Sequence, residues 1–331
     1  MTKIDRVLRS NLKLRHLQML VALDQFRHLG RAAEFLSVTQ PAVSKTLVEV
    51  ESMFGMPLFT RSTRGTEPTQ AGASVVRFAR SVLASYARTR DEIAAEASGA
   101  SGRTSVGAMV AAMPVLLTQA VQRLKERSAR ATVLVEEGDL TRLLPRLRLG
   151  ELDVFVGRLE PGYAAPDLET EPLYDDPMVA VAAPGHPLVG RKTVRWDQLA
   201  DGACVMPPPW ASLRVKLEQQ FFAHGLHPPA DIVESASFLS QIMFLQQRGA
   251  VAFMARTVAE HFSQRGMVAL LRLPVPVALP PVGLITLRGQ QPTPVTESLV
   301  QCLREVGATL CSSSGVKRRV SAARVCPRPA G

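Results

Sequence analysis

Residues 28–72 read HLGRAAEFLSVTQPAVSKTLVEVESMFGMPLFTRSTRGTEPTQAG. Leu29, Ala32, Ala33 and Leu36 recur at i, i+3, i+4 and i+7, which places them on one face of a short helix. Ser37-Val38-Thr39 interrupts that run for about one turn. Thr39 is a good N-cap and Pro41 is tolerated in a first turn, so a second helix starts there and buries Val43, Leu47, Val50 and Phe54. Two short helices joined by a three-residue turn form a helix-turn-helix, whose second helix is free to enter a DNA major groove. Past Gly55 and Pro57, LFTRSTRGTEPT has strand-like ends around Ser62-Thr63-Arg64-Gly65, a hairpin or wing.

Outward from this core, Leu14, Leu17, Leu20, Val21 and Leu23 predict a preceding helix over 14–26. On the other side, Gln70 to Ala97 reads as one long Ala-rich helix. Val75, Phe78, Val82, Tyr86, Thr89 and Ile93 recur at steps of about three and four, a seam suited to pairing with another helix. SGASG, residues 98–102, reads as a flexible joint. Beyond it strands and helices alternate: strands at 104–109, 131–136 and 152–157 with helices at 114–127 and 140–149, which implies a parallel sheet covered by helices. A second series has strands at 204–206, 232–234 and 250–254 and helices at 212–224 and 238–248. The strands 178–183 and 284–287 cross back between the halves. Two α/β lobes of this kind place a small-molecule cleft at the carboxyl ends of their strands.

The charge is unevenly spread. The 331 residues hold 39 Lys plus Arg and 29 Asp plus Glu, a net of +10. Residues 1–98 carry 14 basic and 9 acidic groups, residues 99–311 carry 20 of each, and residues 312–331 carry five basic groups and no acid. A basic N-terminal module on a neutral body points to polyanion binding by that module alone. The basic tail has few large apolar residues and no period, and is expected to be disordered; it either adds non-specific DNA affinity or does nothing. With 46% hydrophobic residues the chain is not wholly disordered. No apolar run approaches the ~18–20 residues needed to cross a bilayer, and the charged N-terminus does not read as a signal peptide, so the expected location is cytoplasmic with no membrane partner.

Enzymatic motifs are missing from the sequence: no GxGxxG after the first strand, no GxxxxGK, no GxSxG and no HExxH. Cys204, Cys302, Cys311 and Cys326 lack zinc-like spacing, and His224 and His227 have no third ligand, so neither a metal nor a cofactor is expected. The rivals weighed are a solute-binding protein, which the body alone fits but the winged module does not, and an architectural DNA-binding protein without a sensing function.

LRHLQMLVAL from Leu14, followed by AAEFL, VTQPAVSK, LF-R and T-x-AG up to Gly72, resembles the LysR-type transcriptional regulators. The resemblance extends over residues 8–310, with LRLGELDVFVG at Leu147 to Gly157 and APGHPL at Ala183 to Leu188 as further phrases. It implies an α+β multidomain chain: a winged helix-turn-helix over 1–70, a linker and dimerisation helix over 71–98, and a two-lobed effector domain like a periplasmic binding protein over 99–311, before the tail at 312–331. It also implies self-association as a homodimer or dimer of dimers, double-stranded promoter DNA as partner, and a small-molecule effector that shifts the relation of the lobes and through them the DNA-reading heads.

Carried over residue by residue, the resemblance implies DNA contacts at Thr39, Gln40, Pro41, Ser44 and Lys45. Gln40 and Ser44 reach base edges and Lys45 a base or a phosphate. Arg31, Arg61 and Arg64 suit phosphates or a narrow minor groove. The effector cleft is expected to be lined by Met109, Val110, Ala111 and Ala112, by the segment after 206, and by the helix start at Phe238. That first loop lacks the hydroxyl side chains frequent in the family, so a carboxylate would rely on backbone N–H groups at a helix N-terminus. Trp210, Ser212 and Arg214 either grip a small aromatic or acidic effector, or Trp210 packs the lobe and Arg214 faces water, and Ser235 and Ser237 stand beside Phe238. A small organic acid is the expected effector.

Overall fold

The computed structural model describes residues 7–62, 65–98, 102–209 and 211–313. At the N-terminus, α1 (Leu14–Phe26), α2 (Leu29–Phe35) and α3 (Gln40–Phe54) form a helical head. Leu17, Leu20 and Leu23 of α1, Ala32 and Ala33 of α2, and Val43, Leu47, Val50 and Phe54 of α3 make one core, as the apolar spacing requires. The His28 ring caps α2, its Nδ1 accepting from Gly30 N at 3.0 Å. Thr39 caps α3, its hydroxyl accepting from Ala42 N at 3.4 Å. Between them Ser37 adopts a left-handed φ of 55°, which turns the chain within three residues.

Strands β1 (Phe59–Ser62) and β2 (Gly65–Pro68) pair antiparallel with Phe59 opposite Pro68 and Ser62 opposite Gly65. The wing docks on the head through Thr66 N, which donates to Arg27 O at 2.8 Å. Its base is held by the Glu51 carboxylate, which accepts from Leu58 N at 2.8 Å and Phe59 N at 3.0 Å. Helix α4 (Gln70–Ser98) then leaves the head; at 1.5 Å per residue it is about 43 Å long. Thr69 caps it, accepting from Gly72 N at 3.0 Å. Gly72 is required sterically: a Cβ there would lie 1.8 Å from the Leu58 carbonyl oxygen. Phe78, Tyr86 and Ile93 of the expected seam are exposed along this helix.

The remainder forms two five-stranded sheets. The first lobe has β3 (Arg103–Ala108), β4 (Thr132–Glu137), β5 (Val154–Arg158), β6 (Leu168–Tyr174) and β12 (Val282–Leu287) in the order β4-β3-β5-β12-β6. The second has β7 (Met178–Ala182), β8 (Cys204–Met206), β9 (Ile232–Glu234), β10 (Val251–Ala255) and β11 (Ala269–Leu270) in the order β11-β7-β10-β8-β9. The expected parallel ladders are present, β3 with β4 and β5, and β8 with β9 and β10. Both sheets are nevertheless mixed rather than parallel. β12 runs antiparallel to β5 and β6, and β7 antiparallel to β10 and β11, because each is the strand that arrives from the other lobe.

The helices are α5 (Thr118–Arg127), entered through a π-helical turn at Met113–Leu117, α6 (Leu140–Arg148), α7 (Asp197–Ala200), α8 (Ser212–Ala223), α9 (Phe238–Arg248), α10 (Arg256–Ser263) and α11 (Pro294–Ser313). Helix α11 continues two residues past the expected boundary at 311, and the Ser312 hydroxyl donates to Ala308 O at 2.9 Å. It packs on α5 and buries Leu299, Cys302, Leu303 and Val306 in the first-lobe core.

The chain crosses between lobes at 175–177 and 271–281. Arg158, only 7% exposed at the end of β5, holds both crossings: one Nη donates to Pro280 O and the other to Asp176 O, each at 2.8 Å. The Asp176 carboxylate in turn accepts from Thr257 N at 3.1 Å at the start of α10. Arg158→Ala takes the donor from the buried Asp176 carbonyl and the half-buried Pro280 carbonyl, and the expected loss is about 2–5 kcal/mol of effector-domain stability, read as a lower midpoint in thermal unfolding. An unchanged midpoint would show that the crossings are held by packing alone.

Candidate nucleic-acid interface and effector cleft

The first turns of α3 project Gln40, Pro41 and Lys45 into solvent, while Val43 and Leu47 anchor the opposite face. Ser44 is half-buried. Its Oγ accepts from Arg61 Nη2 at 3.1 Å, so the wing's guanidinium is drawn onto the recognition helix instead of extending away from it. Arg31 is exposed near the start of α2. Thr39, Gln40, Pro41, Ser44 and Lys45 therefore cluster at one helix end with Arg61 beside them; Arg64 lies outside the described residues.

One residue of this face was not singled out from the sequence. Val48 lies one turn beyond Ser44 and is 58% exposed. Its signal was the absence of apolar partners at its helical phase, since Val43, Leu47 and Val50 already fill the buried stripe. An exposed valine beside Ser44 and Lys45 is the side-chain type that contacts a thymine methyl group.

In the body, the π turn after β3 packs against α10 after β10, so the carboxyl edges of the two sheets face each other across the lobes. Val110 and Ala111 are half-buried at this edge. Ala112 is a correction: it is fully buried in the first-lobe core with Val106, Leu116 and Leu117 and offers no side chain to a ligand. Met109 packs inward too, over Gly157, where a Cβ would lie 2.8 Å from its Cγ. Ser237 is exposed and caps α9, accepting from Ser240 N at 3.4 Å. Phe238 is half-buried, its ring 4.9 Å from that of Phe262. Ser235 closes the same turn, its Oγ accepting from Ser237 N at 3.1 Å.

Arg214 takes neither of its expected parts. It is buried and its guanidinium donates to Glu218 at 2.6 Å, Glu234 at 2.9 Å and Pro207 O at 3.0 Å. A cation already matched by two carboxylates has no charge to spare for an acidic ligand. Ser212 opens α8, and Trp210 lies outside the described residues, as do the joint at 99–101 and the stretch 314–331. Two helix starts at this edge have no side-chain cap, the π turn behind Ala112 and α8 behind Ala211, one in each lobe. The start of α6 is occupied: Asp139 accepts from the Thr141 hydroxyl and from Arg142 N at 3.1 Å, and these bonds hold its carboxyl below the usual range.

Burial pushes the Cys204 thiol up to about 12, so at neutral pH it is no nucleophile. The His224 ring stacks on Trp196 at 5.6 Å, and among the described residues no group of three His, Cys, Asp or Glu side chains could hold a metal. Nor is any described helix long and apolar enough to cross a membrane.

A winged helix-turn-helix followed by a long helix and a two-lobed α/β domain defines a DNA-binding regulator with a sensing domain. The chain matches the bacterial regulatory helix-turn-helix protein, lysR family, over residues 14–73 and the LysR substrate binding domain over residues 97–308. The chain belongs to the LysR family and is a DNA-binding transcriptional regulator with an effector-binding domain. Among its relatives is the HTH-type transcriptional regulator GbpR of Azospirillum brasilense, 32% identical over 306 residues, 91% of this chain and 89% of that one. PcaQ of Agrobacterium fabrum is 28% identical over 90% of this chain and 96% of its own. These relatives are named as regulators and not as enzymes. In fold, the chain is similar to the crystal structure of CbnR, a LysR family transcriptional regulator, at a TM-score of 0.66 and 20% identity, covering 89% of this chain and 99% of that one. CbnR has also been solved in complex with its target DNA, with the same TM-score.

Proposed function

We propose that this regulator reads promoter DNA through Thr39, Gln40, Pro41, Ser44 and Lys45, with Arg31, Arg61 and Arg64 on the sugar-phosphate backbone, and that Val48 adds an apolar contact. The carrying observation is that α3 buries Val43 and Leu47 and leaves Gln40, Pro41 and Lys45 exposed, with Arg61 bonded to Ser44. Electrostatic attraction to phosphate supplies affinity and the polar side chains supply discrimination. Residues 1–70 act as the head, 71–98 as linker and dimerisation helix, and 99–311 as the sensor. The exposed Phe78, Tyr86 and Ile93 are the surface for a second copy, giving a homodimer or a dimer of dimers in the cytoplasm.

The effector is a small organic acid bound between the lobes, near Val110, Ala111, Ser237 and Phe238. Arg214 is excluded from gripping it by its own two carboxylates, so the supporting observation is the pair of uncapped helix starts, one in each lobe, whose N–H groups suit a carboxylate. Isothermal calorimetry against a panel of small mono- and dicarboxylic acids should show binding of at least one member, with a rise in the thermal midpoint. No heat with any acid, alongside binding of a neutral ligand, would contradict the acid assignment while leaving the sensor role intact.

A further inference from the structure

Helix α4 has two unlike faces. Phe78, Tyr86 and Ile93 look outward, while Arg80, Leu83, Ala87 and Arg88 look toward the first lobe of the same chain. Between that face and the lobe lies a cavity of about 860 Å³, so the middle of the helix stands off the domain it carries. The side-chain bonds that span it are ionic. Arg80 Nη2 donates to Asp24 of α1 at 3.0 Å and Arg80 Nη1 to Glu151 of the first lobe at 3.4 Å. Two turns along, Arg88 donates to Asp153 at 3.2 Å, and Asp153 is fixed by Ser105 N at 2.7 Å.

One guanidinium thus touches the DNA-reading head, sits on the linker helix and reaches the effector domain. All three side chains of the Asp24, Arg80 and Glu151 set are about one-quarter exposed or less, so the contacts are screened less than those of an open surface pair. A packed interface holds one geometry, whereas ion pairs beside a cavity can part and reform as the lobe moves. Removing Arg80 orphans neither acid. Asp24 keeps Arg27 at 2.8 Å, and Glu151 keeps Arg146 at 2.7 Å.

We propose that Arg80 is a positioning residue for DNA binding: by holding Asp24 and Glu151 at one point of the linker helix, it makes the orientation of the head follow the first lobe. It rests on the two-fold assembly proposed above, in which the orientation of each head sets the spacing of the two half-sites read together.

The test uses the full-length protein and duplexes recovered by selection from a random library with the wild type. The wild type should recover paired half-sites. Arg80→Gln should lower its preference for the selected spacing over one lengthened by a few base pairs by about fivefold or more, the size of a typical coupling between sites. Affinity for a single half-site should stay within about twofold, because α3 is untouched. Glu151→Gln should change the spacing preference in the same direction, and the double variant should add nothing, since both cut the same connection. Should Arg80→Gln melt at a lower temperature, Glu151→Gln gives the same reading from outside the head. A wild-type spacing preference in either variant, effects that add in the double, or a half-site affinity that falls as far as the paired-site affinity would overturn the role of Arg80. Recovery of single half-sites only would overturn the two-fold assembly and this inference with it.

Discussion

Gly72→Ala is expected to unfold the DNA-binding head and leave the effector domain folded. A Cβ at this position would stand 1.8 Å from Leu58 O, with Leu58 C at 2.8 Å and Leu58 Cα at 3.3 Å. The obstacle is backbone, not the end of a flexible side chain, and that backbone is held. Leu58 O accepts from Thr69 N at 2.8 Å and Thr69 Oγ1 at 3.2 Å, and Leu58 N donates to Glu51. Leu58 itself is fully buried. Relief therefore means breaking the cap of α4, the base of the wing or the core contact, and the cost is about 4 kcal/mol or more, the range reserved for such steric conflicts. The readout has an internal control, because Trp196 is buried in the second lobe and the described head residues include no tryptophan. In a urea titration the head's share of the far-ultraviolet signal and DNA binding should be lost early while the tryptophan transition stays in place. Coincident wild-type transitions would show that the head yields at Leu58 at little cost.

The second large effect is expected at Ser44 and Lys45. Ser44→Ala removes a hydroxyl from the groove face and also releases Arg61, which bonds to it at 3.1 Å, so one substitution disturbs two contacts. Its loss in operator binding should be about 1–3 kcal/mol, roughly 5- to 150-fold, and larger than that of Arg61→Ala. Lys45→Ala acts differently. If the ammonium meets a phosphate, binding weakens on all sequences and the slope of log affinity against log salt falls by about one unit. If it meets a base, the slope is kept and discrimination at one position is lost. Anisotropy titrations at several salt concentrations separate the two. Unchanged affinity and slope would remove Lys45 from the interface.

Much of this architecture could be read directly from the chain. The stripes of α1 to α3, the Thr39 cap and the wing rest on contacts between near neighbours, where spacing and capping chemistry are strong signals. The strand β6 did not show itself, because its core LETEPL alternates acids with apolar residues and contains Pro172, a pattern tolerated at the sheet edge it occupies. The two-residue β11 is too short for any period. That β7 and β12 cross between the lobes is legible in the chain, but their antiparallel pairing is set by long-range neighbours that local spacing does not carry.

The site shows the same division. Gln40, Ser44 and Lys45 follow from helical phase, whereas the pairing of Ser44 with Arg61 needs the wing folded back over 17 residues. Ala112 follows a strand end, where the chain reads as an open loop, and its burial depends on the core that closes on it from elsewhere in the lobe. Arg214 and Arg80 each look like single charges in the sequence. Glu234 lies 20 residues from Arg214, and Asp24 and Glu151 lie 56 and 71 residues from Arg80, so only the fold brings these partners together.

The most direct test of the central claim compares wild type and Gln40→Ala on a duplex selected by the wild type and on a scrambled duplex, at one fixed salt concentration. Gln40 is exposed at the start of α3 and takes no part in the core, so the variant should fold normally. The account predicts that the wild type prefers the selected duplex strongly and that Gln40→Ala lowers this preference by roughly 5- to 150-fold while binding scrambled DNA nearly as before. An equal preference in the two proteins would contradict a recognition helix that reads bases from this end.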